Sequence, residues 1–210
     1  LGPALGGCRM WKYTDEQATV RDVLRLSRGM TFKAAVAGLK LGGGKAVIMA
    51  DSHTEKTPEM LKAFARAVES LQGKYITAED VGMTVADIDT MRGITKYAVG
   101  GSNEGGSGDP SGMTAFGVFQ GMKAAYKFAG FGENLEGVKV AIQGVGNVGY
   151  HLASYLSAAG AKLIITDIYP GQVEKVVQEF GAEVVAPDQI YGVDCDIFAP
   201  CALGAALNAR

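Results

Sequence analysis

The chain has 210 residues, 48% of them hydrophobic and 20% charged, a balance that fits one large or two small globular domains. Its formal net charge of −2 gives no basis for nucleic acid or an anionic membrane as partner, and no apolar run approaches the ~20 residues of a membrane span. Cys8, Cys195 and Cys201 are odd in number, lack metal-ligand spacing and follow no export signal, so they read as reduced thiols in a cytoplasmic protein.

The chain begins without Met, on Leu1-Gly2-Pro3, and ends on Leu207-Asn208-Ala209-Arg210, so it reads as part of a longer chain. Thr14-Asp15-Glu16-Gln17 has the form of a capping box, and Val20, Val23, Leu24 and Ser27 follow it at helical spacing. The segments "TFKAAVA" (31–37) and "KAVIMA" (45–50) predict two consecutive strands. Thr57-Pro58 opens a helix with Leu61, Phe64, Val68 and Leu71 as its apolar stripe and Gly73 as its end. "KYITA" (74–78) predicts a strand running into Glu79-Asp80, and Thr84 caps a short helix with Asp87 three residues on.

The glycine-rich stretch 100–112 is expected to be a flexible connection, with one domain over 1–111 and a second over 112–210. A helix over 113–128 is followed by alternating strands and helices: "VKVAIQG", 147–159, "KLIITD", 170–180, "AEVV" and "CDIFAPC". That alternation predicts a parallel, doubly wound sheet, so the fold class is α/β in both halves.

Gly144-Val145-Gly146-Asn147-Val148-Gly149 is a complete G-x-G-x-x-G between a strand and a helix. A second apolar strand ends in Asp167, close to the ~20-residue spacing of the dinucleotide fingerprint. Gly144 makes the tight turn, Gly146 admits a pyrophosphate to the helix N-terminus, and Gly149 lets helix and strand pack closely. Asp167 accepts from the adenosine ribose and would repel a 2′-phosphate, which favours NAD over NADP. The second domain is therefore expected to be a Rossmann-type NAD-binding domain.

"LKLGGGKAVI" (39–48) departs from a phosphate-binding P-loop: Leu39 replaces its first glycine, Ala46 its hydroxyl residue, and a strand follows where a helix is needed. Its glycines let backbone come close to something beside Lys45. Neither His53 nor His151 is well placed for catalysis, and no metal cluster or Ser-His-Asp set can be assembled. Proton chemistry falls to lysine and carboxylate. Lys33 and Lys45, on what read as neighbouring strands, are the candidates, because a lysine in a half-apolar strand is costly to bury. Asp80 is the candidate carboxylate partner. Snorkelling surface lysines remain the alternative, more so for Lys33.

Together these residues resemble the amino-acid dehydrogenase family that includes the glutamate, leucine, valine and phenylalanine enzymes, with the leucine branch nearest. The motifs that carry the resemblance are "GPALGGCR", "LSRGMTFKAA", "LGGGKAV", "ITAEDVG", "GVGNVGY" and "DIFAPCALG", spread along almost the whole chain. The resemblance implies an N-terminal substrate and catalytic domain followed by the dinucleotide domain, each lacking part of the family's length. It implies NAD-dependent oxidative deamination of an amino acid to a 2-oxo acid and ammonia, in a homo-oligomer. Lys45 would activate water, Asp80 would move protons at the amino group, and Lys33 would bind the substrate carboxylate. Tyr150 and Thr114 would join the cofactor site. Glutamate-specific relatives carry a lysine where Leu5 stands, so Leu5, with Gly6 and Ala78, implies an apolar side-chain pocket and a branched-chain substrate. A phenylalanine-type enzyme and a non-catalytic NAD-binding relative are the alternatives. Cys8 departs from the family's more usual threonine.

Overall fold

Glycines break two strands of the first half at matching places. β1 (Ala4–Leu5) and β2 (Cys8–Trp11) are separated by Gly6-Gly7, and β3 (Gly42–Gly43) and β4 (Ala46–Met49) by Gly44-Lys45. β1 pairs in parallel with β3 and with β5 (Tyr75–Ile76), while β2 pairs in parallel with β4, Cys8 opposite Ala46. Past β5 the chain stays beside β2: the Cys8 N–H donates to the Ala78 carbonyl (2.9 Å) and the Met10 N–H to the Val81 carbonyl (2.9 Å). This computed structural model describes residues 2–102, 107–202, 204 and 207. It divides into two compact units, Leu1–Asp109 and Pro110–Arg210. Of the connection expected over 100–112, residues 103–106 lie outside the described residues.

α1 (Glu16–Val36) corrects the first expected strand: residues 31–36 continue the helix that starts at Glu16. Thr31, Phe32 and Val36 favour strands, but the Thr31 hydroxyl donates back to the Ser27 carbonyl, four residues earlier, and the turn closes only at Gly38 (φ +66°). The cap also shifts by one residue. Asp15, not Thr14, is the N-cap and accepts from the Ala18 N–H. α1 lies against β3 so closely that a Cβ on Gly43 would stand 2.1 Å from the Thr31 nitrogen. A Cβ on Gly44 would stand 3.0 Å from the Tyr75 ring. The room that these glycines leave is filled by α1 and Tyr75, with Gly42-Gly43 in β3.

α2 (Pro58–Ser70) starts at the Thr57 cap and buries Leu61, Ala65 and Val68. Leu71 lies beyond the helix and is 44% exposed, so the stripe ends at Val68. α3 (Val85–Arg92) carries the expected capping box between Thr84 and Asp87. Met10, Ala50, Leu61, Ala65, Met83, Ile88, Met91 and Ala98 form the core of this unit.

The second unit contains α4 (Ser111–Phe128), β6 (Lys139–Gln143), α5 (Asn147–Ala158), β7 (Lys162–Thr166), α6 (Pro170–Phe180), β8 (Glu183–Val184), a 3-10 turn (Ile190–Gly192) and β9 (Ile197–Pro200). Among the described residues, its four strands run parallel in the order β8-β7-β6-β9. The order reverses at β6, and in open α/β sheets ligands bind at such a reversal, beyond the carboxyl ends of the strands. Val140, Ile142, Leu163 and Ile165 pack with α4, α5 and α6. Ala141 and Ile164 pack with Ile190. Among the described residues, no helix is long and apolar enough to cross a membrane.

Candidate active site

Lys45 is placed by register. Leu5 pairs with Gly43 on one side and Ile76 on the other. Two residues further on, the same three chains bring Lys45 and the 78–80 loop to either side of Gly7 and Cys8. Lys45 has 5% of its side chain exposed, and its Nζ donates to Asp80 Oδ1 at 2.5 Å. The second oxygen of Asp80 accepts from Arg9 Nε (2.9 Å), whose Nη1 reaches Asp22 Oδ2 (3.0 Å). The Tyr13 hydroxyl donates to the same Asp22 oxygen (2.5 Å). Lys45 therefore has a carboxylate as its neighbour, and Lys33 is exposed in the last turn of α1, not on a strand beside it.

Burial alone raises the Asp80 carboxyl. The hydrogen bond and charge of Lys45, then those of Arg9, overcome it and hold Asp80 below the usual carboxylate range. Burial pushes the Cys8 thiol up to about 12, against the lowering effect of Lys45, so Cys8 is a neutral apolar wall. Burial likewise pushes the Tyr75 phenol up to about 12, and its hydroxyl donates to the Gly6 carbonyl (2.6 Å). Glu79 goes the opposite way from Asp80: burial, then the charges of Asp109 and Asp87, raise its carboxyl. Among the described residues, no group of three or more His, Cys, Asp or Glu could hold a metal ion.

The expected pocket residues sit on the same strand ends. Leu5 is half-buried in β1. Gly6 is buried, and a Cβ on it would lie 1.7 Å from the Gly44 carbonyl oxygen, which glycine alone permits. Ala78 is half-buried, with its carbonyl held by the Cys8 N–H. Arg9 and Asp22 were not among the sequence candidates. The signal was present in "GGCRMW": an arginine alternating with residues that bury, Cys8 and Met10 at 0% exposure, marks a side chain turned to the other face.

In the second unit, Gly144 has φ +91°, and a Cβ on it would lie 2.7 Å from the Ala202 nitrogen. A Cβ on Gly149 would lie 2.0 Å from the Gly144 carbonyl oxygen. Gly146, by contrast, is exposed, starts α5 without a side-chain cap, and a Cβ on it meets nothing within 4 Å. A backbone open at this point, at a helix N-terminus, fits the pyrophosphate of a dinucleotide. Asp167 Oδ2 accepts from the Val145 N–H (2.7 Å) and Oδ1 from the Tyr169 N–H (3.0 Å), fixing the carboxylate beside the turn with lone pairs left for ribose hydroxyls. Val145 is buried, Val148 is half-buried and Asn147 is exposed. The Tyr150 hydroxyl donates to Glu179 (2.5 Å) and its ring lies 3.8 Å from Lys175 Nζ, which ties α5 to α6. Thr114 is exposed near the start of α4.

Comparison with known proteins agrees with this geometry. A family model described as "Glu/Leu/Phe/Val dehydrogenase, dimerisation domain" matches residues 1–98. A second, described as "Glutamate/Leucine/Phenylalanine/Valine dehydrogenase", matches residues 105–173. The chain is 57% identical to leucine dehydrogenase of Geobacillus stearothermophilus over 209 residues, covering 99% of this chain and 57% of that one. It is 48% identical to an L-tryptophan dehydrogenase of Nostoc punctiforme, covering 100% of this chain and 59% of the relative. The crystal structure of L-tryptophan dehydrogenase from Nostoc punctiforme superposes with a TM-score of 0.74 at 47% identity, covering 99% of this chain and 59% of that one. The chain thus spans a little under three-fifths of the length of the relatives it matches. With both halves matched by models of one family, and with the lysine-carboxylate pair and the dinucleotide turn each in place, the chain belongs to the Glu/Leu/Phe/Val dehydrogenase family.

Proposed function

We propose that this chain carries the catalytic and NAD-binding residues of an amino-acid dehydrogenase that oxidatively and reversibly deaminates branched-chain L-amino acids: leucine, with isoleucine and valine. The observation that carries the reading is the Lys45–Asp80 pair at 2.5 Å, beside strand ends that hold Leu5, Gly6 and Ala78. NAD, when bound, supplies the acceptor for the hydride from the substrate Cα. The amino acid, NAD⁺ and water give the 2-oxo acid, ammonium, NADH and a proton. Lys45 orients and activates the water that adds to the imine carbon, and Asp80 takes and returns protons at the amino nitrogen. Lys33 pairs with the substrate carboxylate from α1, two residues beyond the Thr31 backbone that packs on Gly43. Asp167 selects NAD over NADP.

Leu5 and Ala78 support the substrate class, because an apolar side chain on the substrate leaves no charge to be matched there. The identity to leucine dehydrogenase, higher than that to the tryptophan enzyme, supports the same choice. The name of the family model over residues 1–98 supports a homo-oligomer assembled through the first unit. Three free cysteines support a reducing, cytoplasmic location. NADH formation by the purified protein, measured with leucine, isoleucine, valine, phenylalanine, tryptophan and glutamate, tests the reading. The highest kcat/KM is expected on the branched-chain substrates. A higher value on phenylalanine or tryptophan assigns an aromatic substrate, and NAD binding without turnover on any of them assigns a non-catalytic role.

A further inference from the structure

No step of the proposed chemistry uses Arg9, yet it stands at the centre of a chain of bonds that ends at Lys45. β2 turns Arg9 away from its buried neighbours Cys8 and Met10. The guanidinium then joins two carboxylates from different parts of the fold: Nε binds Asp80 Oδ2 (2.9 Å), and Nη1 binds Asp22 Oδ2 on α1 (3.0 Å), which Tyr13 also engages. The pairing is half-buried, with 22% of the Arg9 side chain and 21% of the Asp80 side chain exposed. Asp80 lies outside any helix or strand. Held by Lys45 alone, its carboxylate could turn about the Cβ–Cγ bond. A second bond to the other oxygen, from a group that is itself anchored, removes that freedom. We propose that Arg9 is the positioning residue of this site: anchored on Asp22, it holds Asp80 Oδ2 so that Oδ1 is fixed against Lys45. The role calls for arginine because a planar fork donates in two fixed directions at once, whereas an ammonium is a point charge.

Among the described residues, the charged and titratable groups that face Asp80 are Lys45 just before β4, Arg9 and Cys8 on β2, and Tyr75 on β5. Cys8 and Tyr75, both pushed up to about 12, stay neutral over the working range. Asp22 and Tyr13 stand behind Arg9. Glu79, next in the chain, has its charge interactions with Asp109 and Asp87. Arg9 and Lys45 are thus the cations that set the Asp80 titration.

The inference rests on the proposed dehydrogenase activity for its kinetic arm, so the test has a second arm that needs no turnover. Arg9→Gln, Arg9→Lys and Asp22→Asn are compared with the parent by carbon-13 titration of the Asp80 carboxyl, by kinetics on leucine and by melting curves. Arg9→Gln is expected to raise the Asp80 titration midpoint, move the acid limb of kcat/KM upward with it, and lower kcat about tenfold or more with little change in KM. Arg9→Lys restores the titration in part through its charge but not kcat, because it cannot span both carboxylates. Asp22→Asn removes the charged anchor of Arg9 and is expected to lower kcat by a smaller factor without raising the Asp80 midpoint. If Arg9→Gln fails to fold, the other two variants carry the test. Lower melting temperatures with an unmoved Asp80 titration and an unchanged kcat would overturn the inference and leave Arg9 as a structural link. If the parent forms no NADH with any amino acid, the proposed activity fails, and the titration arm decides: a midpoint raised in Arg9→Gln and only partly restored in Arg9→Lys upholds the positioning role, and one unmoved in Arg9→Gln or fully restored in Arg9→Lys overturns it.

Discussion

Lys45 and Asp80 are 35 positions apart in the chain, and their Nζ and Oδ1 atoms are 2.5 Å apart. They reach each other across the chain that continues β1 into β2, one from each neighbouring segment. The strand register that pairs Leu5 with both Gly43 and Ile76 sets this meeting.

The first prediction concerns the lysine itself. Lys45→Ala is expected to lower kcat by roughly 10²–10⁴-fold, the usual loss when general acid or base help is removed. NAD binding should survive, because the dinucleotide turn lies in the second unit. Turnover assays beside NAD titration by fluorescence check both halves, and near-normal turnover would remove Lys45 from the chemistry.

Adjacent carboxylates should respond to pH with opposite signs. Asp80 is held below its ordinary range once folded, so its ionised form stabilises the fold above the unfolded pKa, ~3.9, and that contribution is lost as pH falls through the folded value. Glu79 is raised by burial and by Asp109 and Asp87, so its contribution is present below the unfolded pKa and lost as pH rises through the folded value. Urea midpoints should therefore show Glu79→Gln more stable than the parent at neutral pH, with the gap closing near pH ~4. Asp80→Asn should be less stable at neutral pH, with its gap closing on acidification. Gaps that stay constant with pH would contradict both assignments.

Cofactor choice should follow Asp167. A 2′-phosphate brought to a carboxylate that already accepts from the Val145 and Tyr169 N–H groups meets a like charge at close range. The parent should prefer NAD, and Asp167→Ser should narrow the ratio of Kd for NADP to Kd for NAD. Equal affinity for the two cofactors in the parent would show that Asp167 does not face the ribose.

Two neighbouring glycines should behave differently. A Cβ on Gly43 would meet the Thr31 nitrogen at 2.1 Å and the Ser27 carbonyl oxygen at 2.5 Å, both backbone atoms that cannot swing aside. Gly43→Ala should cost about 1–3 kcal/mol, the range for overpacking, and more if α1 cannot shift. At Gly42 the nearest atom would be 3.7 Å away, an ordinary contact, so Gly42→Ala should be tolerated. Urea unfolding of the two variants checks the difference, and equal costs would show that α1 does not depend on a bare backbone at Gly43.

Features that depend on near neighbours in the chain can be read directly from the residues. The turn Gly144–Gly149 and the helices opened by Thr57-Pro58 and by Thr84 with Asp87 were legible, because caps, turns and apolar periods act over a few residues. Lys45 and Asp80 stood out as candidates because charge beside apolar strand residues is costly and so calls for a partner. Which partner each takes is set by the fold. Residues 31–36 carry strand formers, yet they lie in α1 because packing on a bare β3 outweighs weak local preference. That choice moved Lys33 from a strand to the exposed end of a helix and left Lys45 facing a carboxylate. The pairing of Arg9 is not legible in the sequence for the same reason. Its partners, Asp80 and Asp22, are 71 and 13 positions away, and they come within hydrogen-bond reach through strand register and helix packing, which no local pattern encodes.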